Sequence, residues 1–460
     1  MASTVTVSRT RTSNVKRKMA ASPQPAVDAL TAITPYRIHV SQKYLDLTRQ
    51  KLELVRLPRE AHSKYGASPI STTVSKTQLE PLIDHWLESD YDWRFQETQL
   101  NDHLPQFRTR VCGARLHFVH KTSNSPAAIP LLFIHGWPDS FITVSAVIDS
   151  LCEPYVASED EQSQAPSFHV VAPTIPGFGF SEPVKEEGNN LWSTAEAFDA
   201  LMKRLGYMHY MVYGSDWGFK IARAIALQHP ESCMAVHTTN PEMPWPNPEL
   251  NMFPGSGMLS PMQSIPVTPH VVSAQVPTAQ QQTMAFALCD SPSGLVAYLM
   301  DMIKPPASTS APTSSVPTPS PHLSPYAQHS PALSSTSQPR DPWSPTNLIN
   351  WTMLHWLPGP EISLRWVANS TSMEPALWTA HSQVPLGITH YSVPGSQRRP
   401  HDPLIWAEAY HRVAMIRRRT GDVRFAAWER PDDVVADIRE LAGLVYGTGI
   451  GDGGMVVRGM

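Results

Sequence analysis

Residues 210–227 read YMVYGSDWGFKIARAIAL, and this stretch decides the fold. Tyr210-Met211-Val212-Tyr213 is an apolar, β-rich run that stops at Gly214, and a helix-forming run starts just past Gly218. Between them stands Gly214-Ser215-Asp216-Trp217-Gly218, a G-x-D-x-G turn. Glycines on both sides let a strand pass into a helix sharply enough to expose the central side chain. The helix N-terminus behind it favours negative charge there. Asp216 is therefore the candidate nucleophile, and its attack on an electrophilic carbon would give an ester, not an acyl-serine. The plainer alternative is a strand–glycine–helix turn carrying a surface aspartate.

Working outward, the segments on the N-terminal side alternate strand and helix. Arg115 to His120 alternates as a strand does, and Pro130 to Ile134 is apolar throughout, as a strand buried on both faces should be. The latter runs into His135-Gly136-Trp137-Pro138. Phe168 to Ala172 is the next strand, followed by Pro176-Gly177-Phe178-Gly179-Phe180-Ser181. A helix carrying Ala195, Phe198, Leu201, Met202 and Leu205 leads back to the elbow. This order predicts a mostly parallel sheet, and with the elbow at its centre the core resembles that of α/β-hydrolases. Such folds take one oxyanion-hole amide from the loop after the second of these strands and the other from the residue after the nucleophile. The candidate donors are the main-chain N–H groups of Trp137 and Trp217.

The chain has 460 residues, enough for two or three domains or one large domain with insertions. A net charge of −4 gives no reason to expect nucleic acid or an anionic membrane as partner. Four cysteines without metal-type spacing point to a reducing compartment and no disulfide framework. No metal motif, nucleotide loop or cofactor signature is found, so no cofactor is expected. The 45 prolines are roughly twice the usual share and cluster in linker-like stretches. Residues 1–30 are basic, with Arg9, Arg11, Lys16, Arg17 and Lys18, and contain no apolar run long enough for a signal peptide or transmembrane segment. The expectation is a soluble intracellular, cytoplasmic protein, with mitochondrial import left open by that basic segment.

Further along, Tyr36 to Val40 reads as a short strand, and two amphipathic helical segments follow. Val413 to Ile416 is read as the last strand and Asp432 to Leu444 as the last helix. The chain is similar to microsomal-type epoxide hydrolases of fungi and animals, well over about Tyr36 to Asn240 and patchily over the remainder. The residues carrying that resemblance are Tyr91-Asp92-Trp93-Arg94, His135-Gly136-Trp137-Pro138, Pro176 to Ser181, Gly214 to Gly218, and Asp290-Ser291-Pro292 with Gly294-Leu295. It implies an N-terminal lasso segment (31–110) and a core in two parts (111–245 and 376–446). A helical cap (246–375) is inserted in the core, with a disordered Pro/Ser/Thr-rich stretch at about 305–345, and 447–460 is a flexible tail. It implies a two-step reaction: the aspartate opens an apolar epoxide to a hydroxyalkyl ester, then a His/acid pair activates water. Two cap tyrosines serve the epoxide oxygen.

Several of those parts are not matched. The family's base lies in a Gly-Gly-His-Phe-Ala-Ala stretch, where this chain has Gly421-Asp422-Val423-Arg424-Phe425-Ala426-Ala427, with Arg424 at the histidine. The partner acid aligns with Pro394. No tyrosine lies between Pro241 and Asp290, and the second tyrosine aligns among Trp366, Val367 and Ala368. An Arg424 guanidinium beside Asp216 would pair with the carboxylate and weaken it as a nucleophile. Loss of the base alone costs roughly 10²–10⁴-fold in ester hydrolysis. His390, His401 and His411 are candidate substitutes. Three functions stay open: an epoxide hydrolase; a non-hydrolytic cyclase, isomerase or binding protein for small molecules; or an inactive homologue. A homodimer is also left open.

Overall fold

The computed structural model describes residues 32–59, 74–88, 91–153, 165–184, 188–244, 246, 278–303, 341–393 and 406–447. The basic segment 1–30, the stretch 305–340, Pro394, His401 and the tail from 448 lie outside them. One nine-stranded sheet organises the rest, in the order β1-β2-β3-β5-β4-β6-β7-β8-β9. The strands are β1 (Thr34–Pro35), β2 (Gln106–Val111), β3 (Ala114–Lys121), β4 (Ile129–Ile134), β5 (Phe168–Pro173), β6 (Tyr210–Gly214), β7 (Cys233–Thr239), β8 (Ser382–Ser392) and β9 (His411–Thr420). Pairing is antiparallel from β1 through β3 to β5 and parallel from β5 to β9. The mostly parallel sheet expected from the alternation is what forms.

The strand order reverses at β4, which has β5 on one side and β6 on the other. Ligand sites of open α/β sheets sit at such a point, beyond the C-terminal strand ends. The register makes this specific. Ile134 pairs with Gly214, so His135-Gly136-Trp137 leaves the sheet directly beside Ser215-Asp216-Trp217.

The helices labelled here are α1 (Gln42–Glu53), α2 (Lys76–Leu87), α3 (Trp93–His103), α4 (Leu191–Arg204), α5 (Trp217–Gln228), α6 (Thr278–Asp290), α7 (Pro292–Ile303), α8 (Pro345–Trp356), α9 (Glu361–Met373) and α10 (Pro431–Tyr446). Helices α6 to α9 occupy the interval between β7 and β8. No helix among the described residues is long and apolar enough to cross a membrane.

The strand expected at Tyr36–Val40 does not form; the sheet pairing there is limited to Thr34 and Pro35. Side chains of α3 satisfy the extended backbone instead. The Val40 N–H donates to Glu97 Oε1 at 2.6 Å and the Ile38 N–H to Asn101 Oδ1 at 2.7 Å. Asn101 Nδ2 returns a bond to the Ile38 carbonyl at 2.8 Å, and Arg94 Nη2 reaches the Val40 carbonyl at 2.6 Å. Asp92 caps the helix that carries these groups by accepting from the Arg94 N–H. Buried backbone groups must find partners, and here a helix face supplies them as a neighbouring strand would. Glu97 is 5% exposed and also holds Arg94 at 2.7 Å. Glu97→Ala is therefore expected to cost about 2–3 kcal/mol and to speed proteolysis before Gln42. A urea midpoint and cleavage rate equal to wild type would refute that role.

Candidate active site

The glycines of the elbow are required by close backbone approach. A Cβ on Gly214 would overlap the Gly218 carbonyl, and one on Gly218 would overlap the Ile134 carbonyl. Between them Asp216 adopts φ 52° and ψ −125°, a left-handed backbone that an aspartate holds only under constraint from its surroundings. Its side chain is exposed, and Oδ2 accepts the Trp137 N–H at 2.9 Å. Trp217 opens α5, so its N–H has no intrahelical acceptor. The two candidate oxyanion donors thus belong to the two segments that the β4–β6 register places side by side. Gly136 completes the fit, because a Cβ there would come within 2.8 Å of Asp216 Oδ2.

What aims the Trp137 N–H is the imidazole before it. The Ile175 N–H donates to His135 Nε2 at 3.1 Å, which places the ring proton on Nδ1, 2.9 Å from the Gly136 carbonyl. Burial pushes His135 down to about 4, so this tautomer is neutral at physiological pH. A second buried histidine, His355 of α8, donates from Nε2 to the Pro138 carbonyl at 2.9 Å and is likewise held down at about 4 by burial. Its ring meets Trp137 edge-on at 5.0 Å. The loop is therefore fixed from both sides, from the sheet by His135 and from the inserted helices by His355.

Aromatic rings make the wall beside Asp216. Trp366 of α9 meets Trp217 and Phe178 edge-on, both at 5.5 Å. Its indole N–H is committed to Thr194 Oγ1 at 3.0 Å. The helix segment aligned with the second tyrosine thus presents a packed ring whose donor serves α4, and neither Val367 nor Ala368 carries a polar side chain.

Arg424 does not pair with Asp216, contrary to the expected consequence of its position. It is exposed, its guanidinium lies 5.5 Å over the Phe425 ring, and no ion pair joins it to Asp216 among the described residues. The cause is local. Glu429 Oε1 accepts the N–H groups of both Arg424 and Phe425, at 3.1 and 2.7 Å, closing a tight turn. Phe425 is then buried against Trp343 and Trp351, which turns its neighbour outward.

Asn240 ties this turn to the strand ends. Its N–H donates to the Thr389 carbonyl at 2.9 Å, its Oδ1 accepts from the Tyr391 N–H at 2.8 Å, and its Nδ2 donates to the Val423 carbonyl at 2.7 Å. Of the substitute histidines, His411 opens β9 at the opposite end of the sheet from the elbow and accepts from Arg223 at 2.7 Å. It cannot serve Asp216. His390 is half-buried in β8 opposite Arg418.

The sequence reading passed over Asp139, the acid that directly follows His135-Gly136-Trp137-Pro138. It is 3% exposed, and its Oδ1 accepts the Ser140 N–H at 2.6 Å and the Thr143 hydroxyl. Burial, with a smaller contribution from the Asp216 charge, pushes it up to about 7.

Sheet order and the positive-φ elbow define a protein of the α/β-hydrolase fold with an aspartate at its strand-to-helix corner. Two family models agree: "Epoxide hydrolase N terminus" matches residues 33–144 and "alpha/beta hydrolase fold" matches residues 129–283. The chain is similar to epoxide hydrolases in its N-terminal segment and to the wider hydrolase fold in the core that follows. Juvenile hormone epoxide hydrolase 1 of Ctenocephalides felis is 29% identical over 290 residues, 59% of each chain. Epoxide hydrolase 1 of Sus scrofa is 31% identical over 221 residues, 46% of each chain. The chain thus spans less than two thirds of the length of these curated relatives. The Aspergillus niger epoxide hydrolase structure superimposes with a TM-score of 0.63 at 20% identity, covering 91% of this chain and 98% of that one, which is a likeness of fold.

Proposed function

We propose that the protein opens small apolar epoxides through a covalent ester on Asp216. The observation carrying this reading is the bond from the Trp137 N–H to Asp216 Oδ2, which leaves Oδ1 as the attacking atom. Oδ1 bonds to an epoxide carbon, the carbon–oxygen bond of the ring breaks, and the alkoxide takes a proton from water. Water then cleaves the ester to a vicinal diol, with the amides of Trp137 and Trp217 holding the tetrahedral oxyanion. Packed aromatic rings beside Asp216 suit an apolar substrate.

The test is intact-protein mass and product analysis with styrene oxide. Wild type is expected to show a transient adduct of one styrene oxide and to release the diol. Asp216→Asn should show neither, a loss of roughly 10³-fold or more. Diol release by Asp216→Asn at the wild-type rate would refute the assignment. A second reading, a non-hydrolytic cyclase, isomerase or binding protein, is favoured by the absence of a phenol at Trp366, Val367 and Ala368. It predicts neither adduct nor diol, together with a thermal shift on binding.

A further inference from the structure

We propose that Asp139 accepts the proton of the water that hydrolyses the Asp216 ester, the task left open where Arg424 replaces the imidazole. This rests on Asp216 being the nucleophile.

The first argument is position. The Gly136 backbone lowers the proton affinity of Asp139 while the next N–H, that of Trp137, holds Asp216, so neighbouring peptide units of one turn act on the two acids. The 3₁₀ turn Phe141–Ala146, which starts two residues after Asp139, packs against the short helix Ala426–Glu429. That helix begins two residues after Arg424. Asp139 therefore lies on the side of the elbow where the resemblance puts the base.

The second argument is the polar lining. Tyr213 is buried one residue before the elbow, senses the Asp139 charge, and has its Oη close to Thr239 and Ser215 without a well-aligned bond to either. Thr239 Oγ1 and Ser140 Oγ are also buried without a protein partner. Buried hydroxyls of this kind are satisfied by water. Unpartnered buried hydroxyls on Ser140, next to Asp139, and on Tyr213, which senses its charge, fit a hydrolytic water better than a turn cap alone requires.

The third argument is charge. The titratable groups around Asp139 are Asp216 on the elbow, Tyr213 on β6 and the neutral His135 after β4. Esterification removes the negative charge of Asp216, one of the causes that raise Asp139. The carboxyl thus ionises more readily once the intermediate exists, and a base poised near 7 is matched to neutral pH. In the step itself the water oxygen bonds to Cγ of Asp216 and its proton passes to Asp139. The ester C–O bond then breaks, and the departing alkoxide takes that proton back. Asp216, released as its carboxylic acid, gives its proton to the hydroxide left when water protonated the epoxide alkoxide, so one water is consumed overall and both side chains return to their starting states.

The experiment is a single-turnover pulse with styrene oxide, followed by intact mass across pH 5.5–8.5. Wild-type adduct decay should rise with pH through one ionisation below about 7, since the adduct lacks the Asp216 charge. Asp139→Asn should form adduct at the wild-type rate yet lose it roughly 10²-fold more slowly, with a flat profile. Decay within twofold of wild type overturns the proposal for Asp139 alone. No adduct and no diol from wild type overturns the Asp216 reading, and this inference with it. Thr143→Val keeps the carboxyl but removes a donor that lowers its pKa, so it should move the decay midpoint to higher pH with adduct formation unchanged. If Asp139→Asn does not fold, an unmoved midpoint in Thr143→Val overturns the proposal.

Discussion

Replacing Arg223 by methionine is expected to cost about 3–5 kcal/mol of folding stability, through buried acceptors left without donors. Arg223 is 0% exposed on α5, yet its hydrogen-bond acceptors among the described residues are carbonyls and an imidazole, not carboxylates. Its Nε and Nη2 reach the Leu377 carbonyl at 3.0 and 2.8 Å, and Nη2 also reaches the Ala380 carbonyl at 2.7 Å. Its Nη1 donates to the Tyr410 carbonyl at 3.0 Å and to His411 Nε2 at 2.7 Å. Trp378 and Tyr410 cover the guanidinium, at 4.8 and 5.5 Å from its carbon to their ring centres. Burial lowers its pKa to about 9, so it stays charged at neutral pH. One side chain thus holds the return from α9 into β8 and the entry to β9 against the elbow helix. Methionine fills the volume but donates nothing, and lysine has three donors for four acceptors. Urea denaturation measures the loss. A midpoint for Arg223→Met equal to wild type would show that these carbonyls find other partners.

The second large effect is acid unfolding above the usual carboxylate range. His135, His237 and His355 are buried and pushed down to about 4, His117 to about 3, and His411 well below its ordinary value, chiefly by burial. In the unfolded chain each takes a proton near pH 6.5; in the folded chain each stays neutral. A depressed histidine pKa means that its stability contribution is present above the unfolded value and is lost as pH falls toward the folded one. Asp139 and Glu429, both raised by burial, act in the opposite sense over part of the same window. These five imidazoles, with the half-buried His120 also lowered to about 4, outnumber the two acids and leave a net of several protons, or on the order of 4 kcal/mol per pH unit. A total stability of about 5–15 kcal/mol is then exhausted within a few units, and cooperative unfolding is expected between pH 6.5 and 4. Fluorescence of the 13 tryptophans, titrated from pH 8 to 3, would follow it. A fold intact down to pH 3.5 would contradict the neutral burial of these histidines.

The elbow was legible because its geometry is written in adjacent residues. Gly214 and Gly218 flank Asp216 at the spacing a strand-to-helix corner needs, and both meet main-chain carbonyls where a Cβ would stand. Apolar periodicity likewise marked the strand at Pro130 to Ile134 and the last helix, which forms as Pro431–Tyr446. Tyr36 to Val40 misled because alternation shows where a chain is extended but not what pairs with it. Its partners are Glu97 and Asn101, 57 and 63 residues further along.

By itself, then, the sequence determined the α/β-hydrolase core, the aspartate at its sharp corner and the loops that flank it, since turn sterics and hydrophobic period act between near neighbours. Only the tertiary structure decided that Arg424 turns to solvent, that Asp139 is buried with its carboxyl raised, and that Arg223 is fully enclosed. A side chain's direction, its solvation and the affinity of its proton depend on what distant segments bring beside it. Residue order leaves those neighbours unspecified until the chain has packed.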